Sequence, residues 1–365
     1  MSKVLAAVMP APHRPIEVRE FPEPDLEPDS ALLAVELSEV CGTDCHLHEG
    51  RLAGVPYPII PGHVSAGRLE KIRGTLLDVD GRPLAEGDRV TFLDVHRTCN
   101  RCWFCQVARA STRCPLRKVY GITYGVADGL TGGWAQKIYL KPGIQCIRMD
   151  GLSAALYMAG GCSLPTALHA VQRAGIELGE AVLVLGSGPV GLSIVAMARL
   201  RGAARVLCIG APAVRLETAR QVGATDVLDF TSLDETTRRQ WVLERTSGRG
   251  ADVTLEATGA PQAVPQALRW TRDAGRVVVV GQYTDAGDAA INPHLDINKK
   301  HLDVRGCWGS DFSHFYRGVE LLKDQRLRAP WETIALSEFP LSRANEALGA
   351  VARGELVKAL VVPPA

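Results

Sequence analysis

The run Val182-Leu183-Val184-Leu185-Gly186-Ser187-Gly188-Pro189-Val190-Gly191 limits the possible folds of this chain more than any other stretch. An apolar strand ends in G-x-G-x-x-G and passes at once into a helical segment, Leu192–Leu200. Each glycine has a physical task. Gly186 permits the tight turn, Gly188 lets the backbone approach a pyrophosphate, and Gly191 lets the helix pack closely on the strand. The helix start then offers unpaired N–H groups and a positive dipole end to phosphate oxygens. A lone glycine loop would be weak evidence, but this one stands in a series. The apolar runs Ala181–Leu185, Arg205–Ile209, Asp252–Leu255 and Arg276–Val280 alternate with helix-like segments Val190–Arg201, Ala213–Val222 and Thr236–Thr246. Continuous apolar strands between helices predict a parallel sheet covered on both faces, and in that setting the motif predicts dinucleotide binding.

The second strand of such a sheet commonly ends in a carboxylate for the ribose hydroxyls of NAD. Here Val206-Leu207-Cys208-Ile209 ends in Gly210, followed by Ala211-Pro212. Gly210 would leave space, and Arg215 would meet the 2′-phosphate of NADP, a slight lean toward that cofactor. Arg215 as a solvated helix residue, or as a contact to the ribose of either cofactor, is the competing reading. Gly281, just past Arg276–Val280, joins Pro189, Val190 and the three motif glycines as an expected cofactor contact.

Up to about residue 150 the chain has another character. Gly and Pro are frequent, and short alternating segments such as Ala31–Leu37, Gly67–Ile72 and Arg89–Val95 predict many short strands. Asp80-Gly81, between Leu76–Val79 and Pro83–Val90, predicts a hairpin turn. From about Val304 the α/β pattern stops. At 365 residues two domains are expected. The net charge of +1 provides no basic field for nucleic acid and no sign of membrane-surface binding. The start, MSKVLAAVMPAPHRP, reads as a poor signal peptide, and the chain is expected in the cytoplasm.

Cysteine is the other informative residue, with ten in the chain. Cys99, Cys102, Cys105 and Cys114 form C-x2-C-x2-C-x8-C. Four such thiolates close a tetrahedral zinc shell with no open position, a structural site; disulfide pairing is the alternative. A dispersed set comprises Cys41 in CGTDCH, His63 in PGH and Cys162 in CSLPT. Of the remaining Cys45, Cys146, Cys208 and Cys307, three lie in apolar or strand-like contexts and are expected in the core.

Taken in order, CGTDCH at 41–46, PGH at 61–63, the four-cysteine lobe, CSLPT at 162–166 and GSGPVG at 186–191 resemble the zinc-dependent medium-chain dehydrogenase/reductase family. Alcohol, sorbitol and threonine dehydrogenases belong to it. The resemblance implies an α/β protein: a Rossmann doubly wound sheet at 166–304, inserted into a mostly β, GroES-like catalytic domain. That domain would cover 1–165, with its zinc lobe at about 96–116, and 305–365 would return to it. An active-site cleft would lie between the two domains. By the same resemblance Cys41, His63 and Cys162 would hold a catalytic zinc, leaving a fourth position for water or substrate oxygen. Thr43 would bind the substrate hydroxyl, His46 would end a proton relay to solvent, and Asp44 would orient the His63 ring. Thr166 would pack near the nicotinamide.

Three features depart from the family pattern. Val64 replaces the Glu that many relatives carry after the zinc-binding His, the Asp80-Gly81 hairpin is extra, and x8 before Cys114 exceeds the common x7. The implied activity is hydride transfer between NAD(P) and a small alcohol or carbonyl. The alternatives are reduction of an activated C=C or iminium bond, and a catalytically silent redox sensor. Thr43 and His46 favour a substrate oxygen that exchanges a proton. Loops at His48–Tyr57, Val95–His96 and Trp308–Phe312 would wall the pocket. His48, Arg51 and His96 there hint at a polar, even anionic, substrate, although solvation of surface loops explains them equally. A homodimer or homotetramer is the implied assembly.

Overall fold

The computed structural model describes residues 3–364. The chain divides into two compact units: one runs through Gly161 and resumes at Asp311–Lys323 and from Ala335, the other comprises Cys162–Ser310 and Asp324–Ile334.

The strands of the first stretch are β1 (Lys3–Val8), β2 (Glu17–Pro22), β3 (Ser30–Val40), β4 (Ser65–Arg73), β5 (Arg89–Phe92), β6 (Val95–Arg97), β7 (Lys118–Val119), β8 (Lys137–Leu140) and β9 (Cys146–Arg148). Its helices are α1 (Gly42–His48), α2 (Trp103–Gln106) and α3 (Ala154–Gly160). The second unit contributes α4 (Ser163–Ala174), β10 (Ala181–Leu185), α5 (Pro189–Leu200), β11 (Arg205–Gly210), α6 (Ala213–Gln221), β12 (Asp226–Asp229) and α7 (Glu235–Arg245). It continues through β13 (Ala251–Glu256), α8 (Ala263–Trp270), β14 (Thr271–Val279) and β15 (Asp303–Gly306). The chain ends with α9 (Phe312–Lys323), α10 (Ala329–Glu332), β16 (Leu336–Pro340), α11 (Ala344–Ala352) and β17 (Lys358–Val362).

In the first unit, β3 is the central strand, 11 residues long and buried along most of its length. It pairs antiparallel with β4, β8 and β17, in a sheet ordered β16-β17-β3-β4-β5-β9 with β8 beside β3. Alternate residues point to opposite faces, and each face has its own core. Leu33, Leu69, Phe92 and Tyr120 fill one. Val40, Leu47, Trp134 and Val361 belong to the other. The expected hairpin is present: Asp78 N–H donates to the Arg82 carbonyl at 2.9 Å and Gly81 N–H to the Asp78 carbonyl at 3.0 Å. Asp78 is buried, with Oδ1 accepting from the N–H groups of Asp80 at 3.0 Å and Arg82 at 2.9 Å.

The second unit is an all-parallel six-stranded sheet in the order β12-β11-β10-β13-β14-β15. Counted from β10, this is the 3-2-1-4-5-6 order of a Rossmann fold, whose strand order reverses between β10 and β13. Val182–Leu185 are buried on both faces, the condition that makes a parallel strand read as unbroken apolar sequence.

Two boundaries differ from expectation. The last strand of the motif series begins at Thr271 rather than Arg276, because its first residues pair across a register shift opposite Ala251–Val253. The C-terminal return is split as well. Asp324–Ile334 belongs to the second unit, where buried Trp331 donates its indole N–H to Ser193 Oγ on α5 at 3.4 Å. Truncating Trp331 to Ala is expected to cost about 3–5 kcal/mol, through lost packing of the buried indole, measured as a lowered urea midpoint. An unchanged midpoint would refute this anchoring role.

Candidate active site and metal centres

The site begins where β3 ends. Cys41 follows Val40 and caps the N-terminus of α1, its sulfur accepting the Thr43 N–H at 3.3 Å. Asp44, completely buried, accepts the Cys41 N–H at 2.9 Å and the Gly62 N–H at 3.5 Å. One carboxylate thus joins the backbone of the helix start to the residue before His63. The His63 ring Nδ1 is buried with no hydrogen-bond partner, so Asp44 orients this residue through the backbone and not by the expected bond to the ring.

Close backbone packing places the imidazole. Gly62 has φ +88°, and a Cβ there would lie 2.5 Å from Trp134 Cδ1; one on Gly121 would lie 2.8 Å from the His63 backbone nitrogen. His63 Nε2 stands 3.8 Å from Cys41 Sγ. Cys162 follows Gly161 at the start of α4, and its carbonyl accepts the Thr166 hydroxyl at 3.0 Å. The ligand atoms of Cys41, His63 and Cys162 all lie within 4.8 Å of one another. A tetrahedral zinc with ordinary Zn–S and Zn–N lengths would separate such a sulfur and nitrogen by about 3.6 Å, so the donor set fits zinc in chemistry and spacing. Burial pushes the His63 imidazole down, but the Cys41 thiolate beside it overrides this and lifts it to about 10. An entering metal ion must displace that proton. Burial, followed by the Cys41 charge, raises Asp44 well above the usual carboxylate range.

The second cluster is local. Cys99, Cys102, Cys105 and Cys114 also bring their sulfurs within 4.8 Å. Cys99 N–H points at Cys114 Sγ and Cys102 N–H at Cys99 Sγ, both at 3.3 Å. The Cys102 and Cys105 sulfurs are 3.5 Å apart, too far for a bond between them and close to a tetrahedral edge. The Arg101 N–H is the main influence pulling the Cys99 thiol down to about 6.

In the second unit Gly186 has φ +110°, and a Cβ there would lie 2.7 Å from the Ala257 carbonyl oxygen; one on Gly191 would lie 1.9 Å from the Gly186 oxygen. A Cβ on Gly188, the residue that caps α5, meets nothing within 4 Å. Turn, open approach and helix packing therefore fall on Gly186, Gly188 and Gly191 in the order the motif requires.

Comparison with known proteins agrees with this geometry. Residues 189–324 match the zinc-binding dehydrogenase family and residues 27–150 the alcohol dehydrogenase GroES-like domain. The chain is 32% identical to 5-exo-hydroxycamphor dehydrogenase of Pseudomonas putida over 99% of both proteins. It is 30% identical to sorbitol dehydrogenase of Bacillus subtilis over 96% of this chain and 95% of that one. An alcohol dehydrogenase structure from Thermotoga maritima superposes with a TM-score of 0.92, 31% identity and complete coverage of both chains. A zinc-binding dehydrogenase from Sinorhizobium meliloti bound to NADP gives a TM-score of 0.83 at 28% identity over all of both chains. The chain belongs to the zinc-dependent medium-chain dehydrogenase/reductase family. It is an oxidoreductase of the alcohol dehydrogenase type.

Several expected roles change on this dehydrogenase. Gly210 does not leave space: a Cβ there would lie 2.2 Å from Ser187 Oγ and 2.8 Å from Ser187 N. Ser187, whose hydroxyl donates to the Ala211 carbonyl at 3.1 Å, already fills the volume. Arg215 is half-buried in the first turn of α6, and burial lowers its pKa. The hints of an anionic substrate also find local partners. His96 uses both ring nitrogens, on Tyr124 Oη at 2.6 Å and the Pro142 carbonyl at 3.0 Å, and burial lowers its pKa. Arg51 pairs with Glu49 at 2.8 Å, and His48 Nε2 lies 3.2 Å from the Arg14 carbonyl. Cys146, Cys208 and Cys307 are buried, and burial pushes each thiol to about 12.

Sequence reasoning missed Glu256, buried at the end of β13. Its Oε1 accepts from Thr258 N at 2.7 Å, Thr258 Oγ1 at 2.6 Å and Gly259 N at 3.1 Å. A Cβ on Gly281 would lie 2.8 Å from the same oxygen. The acidic end of an apolar strand was its only signal. Metal analysis is expected to find two zinc ions per chain, falling to one in Cys41→Ser with the lobe zinc retained. Two ions in that variant would remove Cys41 from the ligand set.

Proposed function

We propose that this dehydrogenase interconverts an uncharged alcohol and its ketone or aldehyde, with NADP as the preferred partner in hydride exchange. The observation that carries the reading is the convergence of Cys41, His63 and Cys162 within 4.8 Å. Zinc held by these three would supply the Lewis acidity that polarises an alcohol or carbonyl oxygen. Thr43, whose N–H braces the Cys41 sulfur, would present its hydroxyl to the substrate oxygen and take the proton. His46, further along α1, would pass that proton to solvent. Burial first and Arg51 second lower the His46 pKa, which keeps the ring neutral and able to accept near pH 7. Cys99, Cys102, Cys105 and Cys114 would hold a second zinc that orders their lobe and has no open position for chemistry.

For the cofactor, Gly186, Gly188, Pro189, Val190 and Gly191 would cradle the pyrophosphate. Gly210, packed on Ser187, and Gly281, packed on Gly259, would line the sheet end beside the cofactor, and Thr166 would lie against the nicotinamide. Support for NADP comes from Arg215 in the turn after β11, from the absence of a carboxylate at 210, and from the NADP in the related Sinorhizobium structure. Support for an uncharged substrate comes from the local partners of His96 and Arg51, and from the camphor alcohol and sorbitol in the relatives' names. No helix among the described residues is long and apolar enough to cross a membrane. A reducing, cytoplasmic setting suits a chain with two thiolate metal clusters. Pairing of Rossmann sheets along the edge strand β15 would give the homodimer or homotetramer.

The test is hydride exchange by the zinc-loaded enzyme with NADPH and NADH against neutral ketones, polyols and alicyclic alcohols. Turnover that stops on chelation supports the reading, and silence across the panel with cofactor bound sinks it. Arg215→Ala is expected to raise KM for NADPH at least ~10-fold, the effect of losing one charge-assisted contact of about 1.5 kcal/mol, and to leave NADH nearly unchanged. Equal effects on both cofactors would place Arg215 away from the 2′-phosphate.

A further inference from the structure

Behind the catalytic ligands lies a buried ion pair that no motif announced. Lys358, the first residue of β17, donates to Glu39 Oε1 at 2.6 Å, to the Met158 carbonyl at 2.8 Å and to the Gly160 carbonyl at 3.2 Å. Both side chains are 1% exposed. An ammonium offers three donors, and here each has an acceptor. Glu39 is equally committed through its main chain: its N–H donates to the Val64 carbonyl at 3.0 Å, and its own carbonyl accepts the Trp134 indole N–H at 3.1 Å.

The positions of these contacts in the chain are what matter. Glu39 precedes Cys41 by two residues on one continuous segment. Val64 directly follows His63. Gly160 precedes Cys162 by two residues, at the end of α3. One ion pair therefore touches the chain within two residues of all three ligands. Gly161 completes the arrangement: it has φ +47°, and a Cβ there would lie 2.0 Å from Glu39 Oε2 and 2.4 Å from Lys358 Nζ. Only a residue without a side chain can carry the backbone over the pair and into Cys162. Position 64 is an apolar Val, and the buried acid stands on the neighbouring strand instead.

We propose that Lys358 and Glu39 are positioning residues that set the separation of the catalytic zinc ligands, with Gly161 as the fitted surface of the clamp. This rests on the reading of Cys41, His63 and Cys162 as a zinc site. Burying two charges for stability alone would be poorly motivated, since apolar replacement of such pairs is commonly neutral or stabilising. A clamp that fixes ligand geometry gives the pair a task that apolar side chains could not perform.

The test compares the wild-type chain with Glu39→Leu/Lys358→Met, which removes the pair without stranding a charge, and with Gly161→Ala. Zinc is measured by metal analysis and chelator competition, and the ligand field by the visible spectrum of the cobalt-substituted protein. The clamp predicts that the double variant keeps the lobe zinc and binds the catalytic metal at least ~10-fold more weakly, the usual scale for residues supporting ligands. Its cobalt spectrum should change while its unfolding midpoint stays near wild type. Gly161→Ala should alter the same spectrum. A double variant with wild-type affinity and spectrum overturns the proposal and leaves the pair a purely structural contact. If the double variant does not fold, Gly161→Ala decides: an unchanged spectrum overturns the clamp and a changed one supports it. A wild-type chain carrying only the lobe zinc would overturn the zinc-site reading and the clamp together.

Discussion

Two cysteine sulfurs and an imidazole are held within 4.8 Å of one another, and two of the three groups are buried. A ligating sulfur is anionic, and burying an unanswered anion is costly. The chain answers the charge locally before any metal arrives. Cys41 sits at the start of α1 and accepts the Thr43 N–H, and the His63 ring nitrogen Nε2 lies 3.8 Å from its sulfur. The close approach depends in turn on backbone without side chains: Gly62 packs on Trp134 and Gly121 on the His63 backbone. Much of the irregular structure between β3 and β8 follows from this requirement. The loops there must deliver Gly62, His63 and Gly121 to one place, and any Cβ on the two glycines would collide with backbone or an indole ring.

The two candidate metal centres divide the folding problem differently. Cys99 and Cys114, the ends of the lobe, are 15 residues apart, so its four sulfurs are gathered by one short loop closure. The catalytic set joins positions 41, 63 and 162, and Cys41 and His63 alone are 22 residues apart. Closure entropy grows only slowly with loop length, so entropy is not the main difference. The difference lies in the support. The lobe sulfurs take their hydrogen bonds from N–H groups of their own loop, whereas the catalytic ligands hang on β3, on the loop after Gly62 and on the start of α4. Metal at the lobe would organise a segment; metal at the proposed catalytic site would report that the sheet has formed.

Legibility in the sequence followed the range of the interactions concerned. The strand Ala181–Leu185 was readable to the residue, because a doubly covered parallel strand must be apolar throughout and a glycine turn ends it. The four lobe cysteines and the three glycines of the loop were readable because each motif is made by neighbours in the chain. The beginning of β14 was not: Thr271 and Arg272 are polar, Ala274 has φ +55°, and only pairing with Ala251 makes the segment a strand. Gly210 misled for a related reason, since an absent side chain looks like space until Ser187 is seen to fill it. The charges of His96 and Arg51 suggested an anion site, and their partners Tyr124, Pro142 and Glu49 became visible only in three dimensions.

The ion pair of Glu39 and Lys358 marks the limit of such reading, for its members are 319 residues apart. Nothing in the local sequence of either suggests burial; Glu39 sits in an ordinary strand pattern and Lys358 near the end of the chain. What pairs them is the topology. β17 returns antiparallel beside β3, with Leu360 opposite Glu39 and Ala359 opposite Val40. The last strand, β17, is thereby brought against β3, which ends at Val40 just before Cys41. A C-terminal segment that looks like a mere return to the first domain therefore carries a charge into the wall of the site. Dividing a catalytic domain around an inserted Rossmann unit has this consequence: the residues that support the ligands arrive from both ends of the chain, and only the completed sheet can bring them together.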